Sequence, residues 1–140
     1  MIVLDTNVVA ELAAPETDPN VASWILRQRD EDIYITAATL SELVEGVMQL
    51  PDGRRKNELD DRIVEAVEDF YDRTLDFTAN AAVTYGRFVP DRFSIGRPIE
   101  RADAEIAACC LQFGATLATR NVKDFEGIPG LGVINPWVID

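Results

Sequence analysis

Four places in this chain put an oxygen-bearing side chain where a fold can use it. Asp5 closes the apolar run Met1-Ile2-Val3-Leu4, which reads as a buried strand stopping abruptly on a carboxylate. Glu42 stands in Ser41-Glu42-Leu43, one residue off the apolar stripe of a helix, with Gly46 leaving space a turn later. Asp103 has Ile106, Ala107 and Cys110 three, four and seven residues beyond it, so it heads an inward helical stripe. Asn121 and Asp124 follow another apolar run, in Thr119-Arg120-Asn121-Val122-Lys123-Asp124-Phe125. Oxygen ligands of this kind suit hard cations such as Mg²⁺ or Mn²⁺. The chain has no histidine, which excludes Ser-His-Asp and Cys-His nucleophilic schemes and any imidazole acid–base pair. The absence of histidine and of spaced cysteines also argues against zinc, copper and haem. What remains is carboxylate-held metal, which makes water acidic and clamps the oxygens of an in-line phosphoryl displacement.

Each of these residues also has a plainer use. Asp is a preferred helix N-cap, and Asp5 fits that role as well as a chemical one. Glu45 shares roughly the face of Glu42 and competes with it, and a lone helix glutamate is usually solvated. A first-turn acid such as Asp103 stabilises a helix through its dipole. Glu105 already serves that exposed turn, however, and a carboxylate on an inward face must be capped, paired or metal-bound. Asn121 and Asp124 are both turn formers.

The elements that must position these groups alternate in type. Strands are expected over 1–5, 32–36 and 115–119, with shorter ones over 74–77 and 133–135. Helices are expected over 7–14 and 20–29, punctuated by Pro15 and Pro19. A third covers 38–50, with Leu40, Leu43, Val44 and Val47 inward, and Pro51-Asp52-Gly53 breaks it. The next runs to about 71 with Leu59, Ile63, Val67 and Phe70 inward. Helices over 79–88, ending near Pro90, and 100–113, closed by Gly114, complete the set. Strands alternating with helices imply an α/β fold, a parallel sheet with helices on its faces. In such a sheet, ligands bind beyond the carboxyl ends of the strands, where Asp5 and Asn121 fall.

The 140 residues fit a single domain, 1–140, and 47% hydrophobic content is ordinary for a folded protein. The net charge of −12 argues against a general nucleic-acid coat protein but not against a nuclease, since bound cations invert the local sign of a carboxylate cluster. The adjacent Cys109 and Cys110 read as buried thiols of a reducing compartment. The first apolar run is too short for a signal peptide or a membrane span, so a cytoplasmic protein with no membrane partner is expected.

Four blocks, in order, resemble the PIN-domain ribonucleases, in particular the VapC- and FitB-like toxins of bacterial type II toxin–antitoxin pairs. They are Met1-Ile2-Val3-Leu4-Asp5-Thr6-Asn7, Ser41-Glu42-Leu43, Ala102-Asp103-Ala104-Glu105-Ile106-Ala107 and Thr119-Arg120-Asn121-Val122-Lys123-Asp124-Phe125, with Ile134-Asn135-Pro136-Trp137 near the end. The resemblance implies a three-layer α/β/α fold around a parallel sheet of four to five strands. It also implies a Mg²⁺-dependent endoribonuclease, with Mn²⁺ as a substitute. Asp5, Glu42 and Asp103 match the family's acidic triad, Asp5 and Asp103 as metal ligands. Many relatives carry an aspartate at the position of Asn121, and Asp124 is the acid available in its place. Thr6 and Asn7 would position water or a phosphate.

The resemblance further implies a homodimer and a cognate antitoxin, together a hetero-oligomer. The antitoxin's C-terminal segment would fill a groove over the helices near the site and send an arginine to the acids. Val8, Leu12, Trp24 and Ile25 suit such a groove or the core equally. Arg87, Arg92, Arg97 and Arg101 precede Asp103 in one window with Phe93. They either hold RNA phosphates beside a stacked base or pair with surface acids. Arg54-Arg55-Lys56 reads as a solvated face. Two other classes compete. A haloacid-dehalogenase-type phosphoryl hydrolase needs an acid where this chain has Asn7, and for a receiver domain neither Asp32 nor Asp76 fits. A catalytically inactive PIN-fold binding module is opposed by the intact Asp5, Glu42 and Asp103, whereas Asn121 favours it.

Overall fold

Successive side chains of a strand point to opposite faces, so a fully buried strand feeds two cores. The computed structural model, which describes residues 1–139, has this arrangement. Val3 and Leu117 face one core, and Leu4 and Ala118 face the other. Five parallel strands form the sheet: β1 (Ile2–Leu4), β2 (Ile33–Thr36), β3 (Thr74–Leu75), β4 (Thr116–Ala118) and β5 (Val133–Ile134). Their order is β3-β2-β1-β4-β5. Ile2 of β1 lies level with Ile33 on one side and Thr116 on the other. The chain thus winds outward through β2 and β3, then returns to the far side of β1. The order reverses between β1 and β4, the crevice where open α/β sheets bind ligands.

Helices cover both faces. One core gathers α1 (Thr6–Leu12), α2 (Pro19–Leu26), α3 (Ala37–Met48) and α4 (Arg54–Glu68). The other gathers α5 (Ala79–Ser94), α6 (Arg101–Phe113) and α7 (Val122–Phe125). In α6, Ala104, Ala107, Ala108, Cys109 and Cys110 are all buried, and side chains this small let the helix lie close to the sheet. Gly114 ends α6 with φ 65°, the left-handed stop that glycine adopts without strain. Among the described residues no helix is long and apolar enough to cross a membrane.

Two expectations are corrected. The fifth helix does not end near Pro90: α5 continues to Ser94 with the proline inside it. A helix-interior proline costs about 3 kcal/mol, but Phe88 and Arg92 on either side of Pro90 are buried at 8% and 4% exposure, and their packing holds the helix together. The stripe of α3 runs through Thr39, Leu43 and Val47, whereas Val44 is 54% exposed. Thr39 was missed because threonine scores as polar, yet its hydroxyl is satisfied internally by Thr36. In the basic cluster at the start of α4, Arg54 and Arg55 are solvated as expected, whereas Lys56 folds back with its side chain 18% exposed, bonding Asp52 and the Met48 carbonyl.

Ile106 is fully buried between α6 and the sheet. Ile106→Ala is expected to cost about 2–5 kcal/mol, read as a lower urea midpoint with an unchanged denaturant slope.

Candidate active site

The carboxyl ends of β1 and β4 carry Asp5 and Thr119, both buried. Asp5 caps α1: its Oδ1 accepts the Thr6 amide at 2.8 Å. The capping and chemical readings of Asp5 are therefore compatible, because the cap occupies one carboxylate oxygen. The other, Oδ2, accepts the Thr119 hydroxyl at 2.7 Å and the Asn7 amide group at 3.3 Å. Asn7 also donates to the Thr119 hydroxyl and accepts the Arg120 amide. The side chain of Asn7 thus joins the ends of β1 and β4.

Glu42 lies half-buried on α3, and its Oε1 accepts the Thr6 hydroxyl at 2.6 Å. Glu45 is exposed on the same helix and takes no part. Asp103 lies in the first turn of α6, at the border of its buried face. From the end of β1, from α3 and from α6, one carboxylate oxygen each of Asp5, Glu42 and Asp103 comes within 4.8 Å of the others. Among the described residues, no ion pair reaches any of the three.

Three carboxylates so close disfavour their own ionisation. Burial, and then the charges of Asp5 and Glu42, push the Asp103 carboxyl up to about 7. Burial raises Asp5 as well, against the opposing pull of the hydrogen bonds from Thr119, Thr6 and Asn7. A compact, oxygen-only set with unbalanced negative charge fits a hard divalent cation, whose charge reverses this penalty. The cysteines offer no rival chemistry. Both are buried, and burial pushes the Cys109 thiol up to about 11, leaving it an inert thiol.

A cleft of about 650 Å³ opens over Glu42 and Asp103, lined also by Asn121, Asp124 and Glu100 and by Arg92, Arg97 and Lys123, but not by Asp5. Asp124 is exposed on α7 and its charge is felt by both Asp5 and Asp103. Asn121 sits at the start of α7 and donates its backbone amide to the Thr119 hydroxyl at 3.0 Å. The four arginines separate. Arg87 is exposed outside the lining of this cleft. Arg101 pairs with Glu105 at 3.0 Å and lies 5.2 Å over the Tyr85 ring. Arg97 pairs with Glu126 at the cleft edge. Arg92 is buried, and its guanidinium is spent on backbone carbonyls. It departs from the expectation of a free phosphate-binding cation because it sits on the inner side of α5. Of the early helices, Val8 is wholly in the core, while Leu12 and Ile25 line an open groove with Phe70 and Arg73.

Sequence reasoning passed over Thr119. Its one signal was its place at the carboxyl end of the strand beside β1, which becomes meaningful only once strand order is known.

The PIN domain family model matches residues 2–131. The chain is 38% identical to VapC ribonuclease Y4jK of Sinorhizobium fredii over 138 residues, 98% of each chain. It is 36% identical to toxin FitB of Neisseria gonorrhoeae, covering 98% of this chain and 99% of that one. The crystal structure of FitAcB from Neisseria gonorrhoeae superimposes with a TM-score of 0.88 at 35% identity, covering 99% of this chain and 100% of the other.

The raised Asp103 carboxyl makes a signed prediction. The folded state holds the proton up to about pH 7, whereas the unfolded chain releases it near 3.8. Metal-free stability therefore falls as pH rises across that interval, and the whole penalty is present above it. Asp103→Asn is expected to stabilise the metal-free protein at pH 8 by about 1–2 kcal/mol, allowing for solvent screening, and to change little at pH 4. Urea unfolding in chelator at the two pH values checks this.

Proposed function

The chain belongs to the PIN domain family, and from that membership we propose that it is a metal-dependent endoribonuclease, the toxin of a toxin–antitoxin pair. The observation that carries the reading is the meeting of Asp5, Glu42 and Asp103 within 4.8 Å at the point where strand order reverses. Full-length likeness to a VapC ribonuclease and to toxin FitB supports the substrate class and the toxin role. Likeness to FitAB bound to a DNA fragment supports a cognate antitoxin. We take the assembly to be a homodimer joined by that antitoxin, and its compartment to be the cytoplasm.

Asp5 and Asp103 are assigned as ligands of a Mg²⁺ ion, with Mn²⁺ able to replace it. When bound, such an ion supplies the positive charge that acidifies water near neutral pH and offsets charge on a reacting phosphodiester. The chain's own groups do the rest. Thr119, Thr6 and Asn7 fix the Asp5 carboxylate, so that its orientation does not depend on the ligand. Glu42, held by the Thr6 hydroxyl, is assigned the role of taking a proton from the attacking water. Asp124 supplies the fourth carboxylate at the cleft, with Asn121 on the same segment as a supporting group. Lys123 and Arg97 line the same cleft and meet the phosphates of the incoming strand.

Asp5→Asn is expected to lower Mg²⁺-dependent cleavage of single-stranded RNA by about 10²-fold or more while leaving the circular dichroism spectrum unchanged. Induced in cells at matched soluble level, the unaltered protein should arrest growth and the variant should not. Equal cleavage by both proteins would remove Asp5 from the site.

A further inference from the structure

The helix α7 is four residues long, too short to hold itself together in water. Its Lys123 carbonyl accepts the Glu126 amide, whereas the Asp124 and Glu126 carbonyls have no backbone donor among the described residues. Two arginines supply what is missing. Arg92, in the last turn of α5, is 4% exposed. Its Nη2 donates to the Asp124 carbonyl at 2.9 Å and its Nη1 to the Glu126 carbonyl. Arg97 adds an Nη2 bond of 3.2 Å to the Lys123 carbonyl and another to the Glu126 carboxylate. The Arg92 Nε is buried and has no partner among the described residues. Burying a guanidinium with a donor left over is costly. The return on that cost is that α7 is fixed along its edge. Asp124 and Lys123, on the gripped segment, line the same cleft as Glu42 and Asp103.

We propose that Arg92, assisted by Arg97, is a positioning residue: a buried clamp on the Asp124 and Glu126 carbonyls at the end of α7 that holds the Asp124 carboxylate in the cleft beside Glu42 and Asp103. The proposal rests on the ribonuclease reading for its catalytic meaning, but its structural content is independent of it. A planar fork is needed because two carbonyls on different residues are gripped at once, which a lysine ammonium does less rigidly.

The test is a double-mutant cycle of Arg92→Lys and Asp124→Asn, read by Mn²⁺ affinity in calorimetry and by kcat and KM on single-stranded RNA. Each single variant should weaken Mn²⁺ binding and lower kcat by about 10-fold or more, with KM little changed. The double variant should be no worse than Asp124→Asn alone, because both changes remove one contribution. Multiplying losses would overturn the clamp. So would an Arg92→Lys variant with a lower Tm but unchanged Mn²⁺ affinity, which is what a purely packing role yields. If Arg92→Lys does not fold, Arg97→Gln replaces it in the cycle, read by Mn²⁺ affinity alone because Arg97 also lines the path of the RNA phosphates. A smaller loss that vanishes in the Asp124→Asn background supports the proposal, and no loss overturns it. A wild type that binds Mn²⁺ through this cycle yet cleaves no RNA would sink the ribonuclease reading and leave the clamp standing.

Discussion

Three carboxylates held within 4.8 Å of one another repel, and most of the structure can be understood as what holds them there. Each arrives on a different element, β1, α3 or α6, so no local motif could hold the cluster alone. The opposing force is the packing of the two cores, spread over many apolar contacts far from the acids. The small buried residues of α6 matter most here. They bring the helix bearing Asp103 close enough to the sheet for its first turn to meet the end of β1. The electrostatic penalty remains in the metal-free protein as a carboxyl raised to about 7, and a divalent cation would relieve it.

Around the acids lies a hydroxyl and amide framework that keeps their geometry without neutralising them. Thr6 reaches Glu42, Thr119 reaches Asp5, and Asn7 ties Asp5 to the neighbouring strand. These donors carry no charge. They favour the ionised form of Asp5 against its burial and leave the cluster's net negative charge for a cation. A lysine or arginine in any of these places would have satisfied the acids and removed the reason to bind metal.

The overall charge of −12 is compatible with a nucleic-acid substrate because the cations are unevenly used. Arg54, Arg101 and Lys56 pair with nearby acids on the surface. Arg92 is buried in service of the backbone. Lys123, in no ion pair among the described residues, lines the cleft beside Glu42 and Asp103, and Arg97, paired with Glu126, stands at its edge, where a phosphate chain approaching the acids would pass.

The α/β alternation, five of the helices to within a few residues and the three acids that cluster were legible in the chain. Periodicity, turn residues and the abrupt end of an apolar run on Asp5 are local signals. The absence of histidine narrowed the chemistry just as directly. What the sequence left open was decided by contacts between distant segments. Pro90 reads as a helix end until the burial of Phe88 and Arg92 outweighs it. Glu42 and Glu45 share a face until Thr6, thirty-six residues from Glu42, bonds one of them. Arg92 looks like its neighbouring arginines until the orientation of α5 turns it inward. Thr119 gains its role only because β4 lies beside β1. Spacing along a chain determines which face of an element a residue occupies. What that face meets depends on strand order and helix packing, which are set by the cores as a whole.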